Sequence, residues 1–346
     1  MTYRGVSVGG NSAITIQSMT TVCTADVPRV MREIRALARA GCELVRVAVK
    51  DREDVAALPA ICARSPIPVI ADVHFDYRLA VDSARAGAAG LRINPGNIGG
   101  SEKVRRVVEA AAEARIPIRV GVNSGSIERD LRMLARRDPA RALCESAGRS
   151  LELLEGMGFR DLVFSLKAPD AMVTVEANRA WAARNDYPLH VGVTEAGPAL
   201  SGGAKSAVAL TLLLSEGIGD TVRVSLSGDP VREITVAAAV LSALGLRRDI
   251  PRIVSCPTCG RSWIDVARIA ARLEREIMGF HVGGTIAVMG CEVNGPGEAK
   301  EADIGLAGSR QGAILFKKGK VERRLKGDFA AEFIREVRNF LRRKAE

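Results

Sequence analysis

From about residue 13 to residue 245 one pattern returns eight times: a short run rich in β-branched residues, a polar loop, then an amphipathic stretch of Ala, Leu and Arg. The strand-like runs are "AITIQ" from Ala13, "ELVRVA" from Glu43, "PVIAD" from Pro68, "GLRIN" from Gly90 and "PIRVGV" from Pro117. "DLVFSL" from Asp161, "LHVGVT" from Leu189 and "TVRVSL" from Thr221 complete the set. Helix-like segments follow each, for instance over 30–40, 104–114 and 231–244. Strands alternating with helices pair in parallel, because a parallel neighbour is reached only through a crossover. Eight such units within about 250 residues fit a closed (β/α)8 barrel. A doubly wound open sheet is the competing topology, but no G-x-G-x-x-G turn follows the first strand.

The rhythm breaks at "LRRDIPRI" from Leu246. Beyond it the sequence predicts a helix over 263–277, strands over 285–289 and 313–318 with a turn at "KKGK", and a final helix over 328–343. The expected division is a barrel over 1–248 and a smaller α+β domain over 249–346. A chain of 346 residues is long enough for both.

With 47% hydrophobic and 26% charged residues, the chain has a globular balance rather than a disordered one. Apolar runs such as "ITVAAAVLSALGL" fall short of a membrane span, and "MTYRGVSVGGNSAI" lacks the apolar centre of a secretory signal. These features predict a cytoplasmic protein without a membrane partner. Seven cysteines in such a chain do not make a disulfide framework. Cys23, Cys42, Cys62 and Cys144 are scattered and read as small hydrophobes, whereas Cys256, Cys259 and Cys291 cluster among glycines and prolines. A net charge of +10 suits nucleic acid or a small anion. Aromatics at 4% leave few platforms for stacking bases, and a small anionic substrate fits equally well provided the cations converge on one site.

In a (β/α)8 barrel the chemistry sits where strands run into the following helices. Those positions hold Arg46, Lys50, Asp72, His74, Arg92, Asn94, Asn97, Arg119, Asn123, Lys167, Thr194, Glu195, Ser225 and Asp229. Four cations on separate strands, Arg46, Arg92, Arg119 and Lys167, form a set that can converge on one phosphate or diphosphate. Guanidinium groups bind such oxygens bidentately, and lysine adds a point charge. Taken singly, a strand-end Arg is a salt-bridge partner for a neighbouring loop. Asp72 and Glu195 read either as proton-transfer groups or as partners of the arginines.

Two metals compete for Cys256, Cys259 and Cys291. A C-x-x-C knuckle with His281 suits structural zinc, although zinc ribbons usually pair two knuckles. Three cysteines also suit an iron–sulfur cluster with one iron held by a weaker ligand. Glu298, beyond the turn-forming "NGPG", is positioned to supply it. An oxygen ligand exchanges where a thiolate does not.

The motifs "QSMT", "ADVHF", "LRINPGNIG", "GVNSGS", "SLKAPD", "GVTEAG", "SLSGDP", "CPTCGR" and "GCEVNGPGE" occur in that order. Together they resemble the hydroxymethylbutenyl diphosphate synthases of the methylerythritol phosphate route to isoprenoids, in their bacterial two-domain form. The resemblance runs from about Val6 to Gly312. It implies reductive dehydration and ring opening of 2-C-methyl-D-erythritol 2,4-cyclodiphosphate, with a 4Fe–4S cluster and flavodoxin or ferredoxin as electron donor. By motif, Cys256, Cys259, Cys291 and Glu298 match the cluster ligands, Glu298 being also catalytic. Arg46, Arg92, Arg119, Asn123 and Lys167 match residues that hold the diphosphate, and Asn94 and Thr194 within the same motifs join the substrate-binding set. Asp72 and Glu195 match acidic groups near the reacting carbons.

Two readings from other classes stand beside it: a non-redox barrel transferase of the dihydropteroate synthase type with a structural zinc domain, and a basic nucleic-acid-binding protein with a zinc knuckle. Barrel topology adds a last expectation. The eighth helix ends on the face opposite the substrate site, so a linker over 245–255 of at most roughly 35 Å is nearly used up in climbing back. A homodimer that shares its active sites between chains removes the difficulty.

Overall fold

The structure is a computed structural model and describes residues 1–293, 297 and 299–345. The chain divides into two compact units, Met1–Val240 and Leu241–Glu346. In the first, β1 (Thr15–Met19), β2 (Leu44–Ala48), β3 (Val69–Asp72), β4 (Gly90–Ile93), β5 (Ile118–Asn123) and β6 (Leu162–Lys167) lie side by side in chain order, all parallel. The short strands β7 (His190–Val191) and β8 (Thr221–Val222) pair with each other, and β8 pairs back onto β1. A parallel bridge from Phe164 to Leu189 joins the seam between β6 and β7. The ring is a (β/α)8 barrel.

The crossovers are α1 (Val27–Arg39), α2 (Arg52–Arg64), α3 (Tyr77–Arg85), α4 (Ser101–Ala114), α5 (Pro139–Glu155), α6 (Ala171–Ala182), α7 (Ala199–Ser215) and α8 (Val231–Ala243). Five of them start at an aspartate: Asp26, Asp51, Asp76, Asp138 and Asp170 each accept a backbone N–H two or three residues on. Each such cap is worth about 1 kcal/mol and fixes where the loop ends and the helix begins. The strand ends that precede these loops therefore gather at one face.

The opposite face is plugged by a feature that the strand–helix rhythm does not announce. Thr2–Tyr3 and Val6–Ser7 form a small antiparallel hairpin. Its Tyr3 is buried with Val8, Leu44, Ile70, Ala89 and Val163. Gly90 makes room for it, since a Cβ there would lie 2.5 Å from the Tyr3 ring. Burial pushes the Tyr3 phenol up to about 12, so it stays neutral.

The seventh and eighth strands are shorter than their apolar runs suggest. Gly192 adopts φ +144°, and a Cβ on it would lie 2.0 Å from the Arg223 carbonyl oxygen. The backbone turns out of the ladder at that point, and only glycine permits it.

The second unit carries a five-stranded mixed sheet: β9 (Arg252–Ser255), β10 (Thr285–Met289), β11 (Ile304–Ser309), β12 (Gly312–Lys317) and β13 (Lys320–Leu325), in that order. The first three run parallel and the last two antiparallel. Helices α9 (Val266–Ile277) and α10 (Phe329–Ala345) bury Ile269, Leu273, Phe333 and Val337 in the core with Ile286, Val288 and Leu306. The β12–β13 turn is Lys318–Gly319 with φ +46° and +73°, the paired left-handed conformation that a two-residue hairpin requires.

Three of these strands lie outside the sequence expectation. β9 falls inside the stretch read as a break and linker, which corrects the free connection to residues 244–251. Its four residues are mostly exposed and show no alternation. β11, "IGLAGS", is buried throughout and contains two glycines that admit close neighbours: a Cβ on Gly305 would strike the Phe316 ring. β13, "KVERRL", is a charged edge strand, a composition that discourages pairing with other chains. The helix expected from 263 begins at Val266, because Asp265 caps it while the Trp263 N–H donates to Gly290 O at 2.8 Å. No helix among the described residues is long and apolar enough to cross a membrane.

Candidate functional site

Arginine inside a barrel strand is costly unless something on the same face accepts its N–H groups. Along β3, β4 and β5 the ladder pairs Asp72 with Arg92 and Arg92 with Arg119, placing all three in register on one face. Asp72 is the hub. Its Oδ1 accepts Arg92 Nη1 at 3.1 Å, and its Oδ2 lies 3.3 Å from Arg46 Nε and 3.7 Å from His74 Nε2. Burial raises the Asp72 carboxyl, but the charge of Arg46, the hydrogen bond of His74 and the charge of Arg92 outweigh it. The carboxyl is held well below the usual range and stays ionised.

Gly121 on β5 completes the seat for Arg92. The Arg92 Nη2 donates to Gly121 O at 3.3 Å, and a Cβ on Gly121 would lie 2.2 Å from Arg92 Nε. Arg119 is almost wholly buried; its Nη1 donates to Gln17 Oε1 on β1, while Nε and Nη2 have no hydrogen-bond partner. Burial pushes Arg119 down to about 10. Lys167, at the end of β6 and in register with Asn123 on β5, is also buried. Burial and four guanidiniums, those of Arg119, Arg223, Arg46 and Arg92, push its ammonium well below the ordinary value. Burial and the charges of Lys167, Arg119, Arg46 and Arg223 keep buried His190 neutral, with its Nε2 unpartnered.

Arg223, just past β8, belongs to this group. It forks onto Glu233 in the first turn of α8, Nε to Oε2 at 3.2 Å and Nη2 to Oε1 at 3.3 Å. The Met19 thioether sits between Arg46 and Arg223, accepting from Arg46 Nη2 at 3.0 Å and Arg223 Nη1 at 3.8 Å. The described residues here thus set five cations, Arg46, Arg92, Arg119, Lys167 and Arg223, against two carboxylates, Asp72 and Glu233. Buried charge with partners for only part of it is a site built for an anion.

The other strand-end residues are dispersed. Asn94 is buried; its Oδ1 accepts Gly96 N at 3.1 Å as a cap, leaving Nδ2 unpartnered. Thr194 is half-buried, and its N–H donates to Ala168 O at 3.2 Å. Glu195 is exposed and held in a left-handed backbone at φ +51°, a strained conformation for a residue with a Cβ. Lys50 points to solvent and pairs with Asp51 and Asp54, and Asp229 caps α8 through Val231 N. Arg223, Glu233 and Gln17 escaped the sequence reading. Arg223 carried a signal, since "TVRVSL" repeats the alternation of Arg119 in "PIRVGV".

In the second unit, Cys256 follows β9 directly and Cys291 lies two residues past its parallel neighbour β10. The Gly290 N–H donates to Cys256 Sγ at 3.1 Å. Cys259 is exposed, and N–H donors of Arg261 lower its thiol, favouring the thiolate. Glu298 lies outside the described residues. Among those described, no three His, Cys, Asp or Glu side chains are gathered in a metal-binding arrangement. The donor set nonetheless fits a thiolate-bound cluster: two cysteines leave adjacent strand ends, and backbone N–H groups point at sulfur. His281, the alternative zinc ligand, lies 3.3 Å from Asp249 Oδ2 through Nδ1.

Comparison with known proteins gives a GcpE TIM-barrel domain over residues 2–238 and a GcpE protein C-terminal domain over 252–339. The chain is 51% identical over 316 residues to a 4-hydroxy-3-methylbut-2-en-1-yl diphosphate synthase (flavodoxin) of Natranaerobius thermophilus, covering 91% of this chain and 88% of that one. It is 49% identical over 341 residues to a protein of the same name from Maridesulfovibrio salexigens, covering 98% and 95%. Among solved structures, the dihydropteroate synthase of Yersinia pestis is 14% identical, with a TM-score of 0.47 over 71% of this chain and 98% of that one.

Proposed function

Because the chain belongs to the GcpE family in both of its units, we propose that it is a hydroxymethylbutenyl diphosphate synthase acting in the cytoplasm on 2-C-methyl-D-erythritol 2,4-cyclodiphosphate. Two electrons and, counted on the neutral acids, two protons enter; a ring C–O bond breaks to free a diphosphate oxygen, and a carbon-bound hydroxyl leaves as water. The observation that carries the reading is the convergence of five cations, Arg92, Arg119 and Lys167 buried and Arg46 and Arg223 half-buried, around only two carboxylates, Asp72 and Glu233.

The barrel residues have separable tasks. Arg46, Arg92, Arg119, Asn123 and Lys167 hold the diphosphate, with Asn94 and Thr194 at its periphery, and their charge stabilises the end that becomes a leaving group. Asp72 orients Arg46 and Arg92, because a carboxyl held so far down has no proton to give near neutral pH. Glu195 is exposed and, unlike Asp72, is not tied up by arginines, which leaves it as the acidic group free to face the reacting carbons. Burial and the neighbouring guanidiniums disfavour the Lys167 ammonium in the empty site, and a bound anion favours it again.

Cys256, Cys259, Cys291 and Glu298 would hold a 4Fe–4S cluster, which supplies the electrons one at a time and has an exchangeable carboxylate in place of a fourth thiolate. Flavodoxin or ferredoxin is the donor. The reading extends to a homodimer whose active sites are shared between chains. The connection 244–251 reaches roughly 28 Å at full stretch, against about 20 Å for the height of a barrel helix alone.

The deciding test is anaerobic: iron and acid-labile sulfide in the purified protein, then turnover of the cyclic diphosphate with reduced flavodoxin. Zinc at one per chain, without visible absorption or turnover, would restore the non-redox transferase.

A further inference from the structure

Glu233 is buried in the first turn of α8, and both its oxygens are saturated. Oε2 accepts Ser18 Oγ at 2.8 Å and Arg223 Nε at 3.2 Å; Oε1 accepts Leu226 N at 3.0 Å and Arg223 Nη2 at 3.3 Å. Four donors from β1, the segment after β8 and the loop before α8 thus converge on one carboxylate. No lone pair is left for a substrate, so Glu233 is not a catalytic group.

We infer that Glu233 is a positioning residue whose fork onto Arg223 aims that guanidinium at the diphosphate site; this rests on the function proposed above. The fork occupies the Nε and Nη2 edge of Arg223 and turns Nη1 toward the Met19 thioether, which Arg46 also approaches. Met19 is only a weak thioether acceptor, so the Nη1 edge keeps hydrogens for an anion. Asp72 does the same for Arg46 and Arg92. The two carboxylates therefore fix three of the five cations before any ligand arrives, and a fixed donor strengthens anion binding more than a mobile one.

The inference makes a prediction opposite in sign to simple charge. Removing a negative group near an anion site tightens anion binding if charge alone matters. If aim matters, Glu233→Gln loosens Arg223 and binding weakens by about tenfold or more. The measurement is calorimetric titration of the full-length, anaerobically purified protein with inorganic pyrophosphate. Wild type, Glu233→Gln and Ser18→Ala are compared, with near-UV circular dichroism to verify folding.

Ser18→Ala removes one support of Glu233 without changing any charge, and is expected to weaken binding by about two- to fivefold. Weaker binding in both folded variants supports the inference. Unchanged or tighter binding in Glu233→Gln overturns it, and if that variant does not fold, wild-type affinity in Ser18→Ala overturns it instead. No pyrophosphate binding by the wild type would overturn the diphosphate reading itself, a separate failure.

Discussion

Gly121→Ala is the most economical way to disturb the anion site, because it adds one methyl group and touches no charge. The new Cβ would lie 2.2 Å from Arg92 Nε, 2.6 Å from Nη2 and 2.7 Å from Cζ. The backbone is not at fault, since Gly121 has no positive φ and a strand position accepts alanine. The guanidinium must therefore swing away, breaking its bonds to Gly121 O at 3.3 Å and Asp72 Oδ1 at 3.1 Å. Hydrogen bonds to charged groups are worth about 1.5–3 kcal/mol each, and the displaced group recovers part of this elsewhere. A net loss of about 2–3 kcal/mol in diphosphate affinity corresponds to roughly 30- to 150-fold. Pyrophosphate titration and KM for the cyclic diphosphate should both show it, with iron content unchanged. Arg92→Gln should give a similar loss, and the double variant should lose little more than either alone, because both act through one side chain. Wild-type affinity in folded Gly121→Ala, or full additivity with Arg92→Gln, would refute the reasoning.

Lys167 links binding to protons: its ammonium is disfavoured in the empty site and favoured by the anion, so any proton it lacks there is taken up on binding and affinity should fall as pH rises through the bound-state value. Titration in buffers of different ionisation heat should detect that uptake in the wild type and not in Lys167→Met. Glu298→Gln should retain iron yet lose most turnover, whereas Cys291→Ser should lose iron; the reverse pattern would remove Glu298 from the ligand set. Co-expressed Lys167→Ala and Cys291→Ala chains should recover roughly a quarter of wild-type activity if sites form between chains, since half the dimers are mixed and each holds one intact site. A dead mixture would mean that each chain completes its own.

The barrel was legible because its signal is local and repeated. A β-branched run and an amphipathic helix recur within each unit, five of the eight helices start at an aspartate cap, and β1–β6 follow that grammar closely. The N-terminal hairpin and β9 were not legible: each is a few residues long, and each is held by partners far away in the chain. Tyr3 packs on Gly90, and β9 pairs with β10 thirty-odd residues on. The site divides the same way. Arg46, Asp72, Arg92, Arg119 and Lys167 announce themselves as polar residues in or at the ends of apolar strands. Glu233 does not, because it looks like any acid in the first turn of a helix, and its partner Ser18 lies 215 positions away. Nothing local distinguishes a buried carboxylate that aims a guanidinium from one that merely favours a helix N-terminus.

Cations crowded inside a barrel also repel one another when no anion is present, so the empty fold is under tension. A ligand that binds only the folded state adds RT ln(1 + [L]/Kd), about 2.7 kcal/mol at a hundredfold excess over Kd. The melting temperature should thus rise with pyrophosphate and, more weakly, with other polyanions that fit. If the proposed diphosphate is its ligand, this chain should resist unfolding more in a cell the more of it is present. On that proposal, a shortage of the ligand would lower both occupancy of the site and stability of the fold.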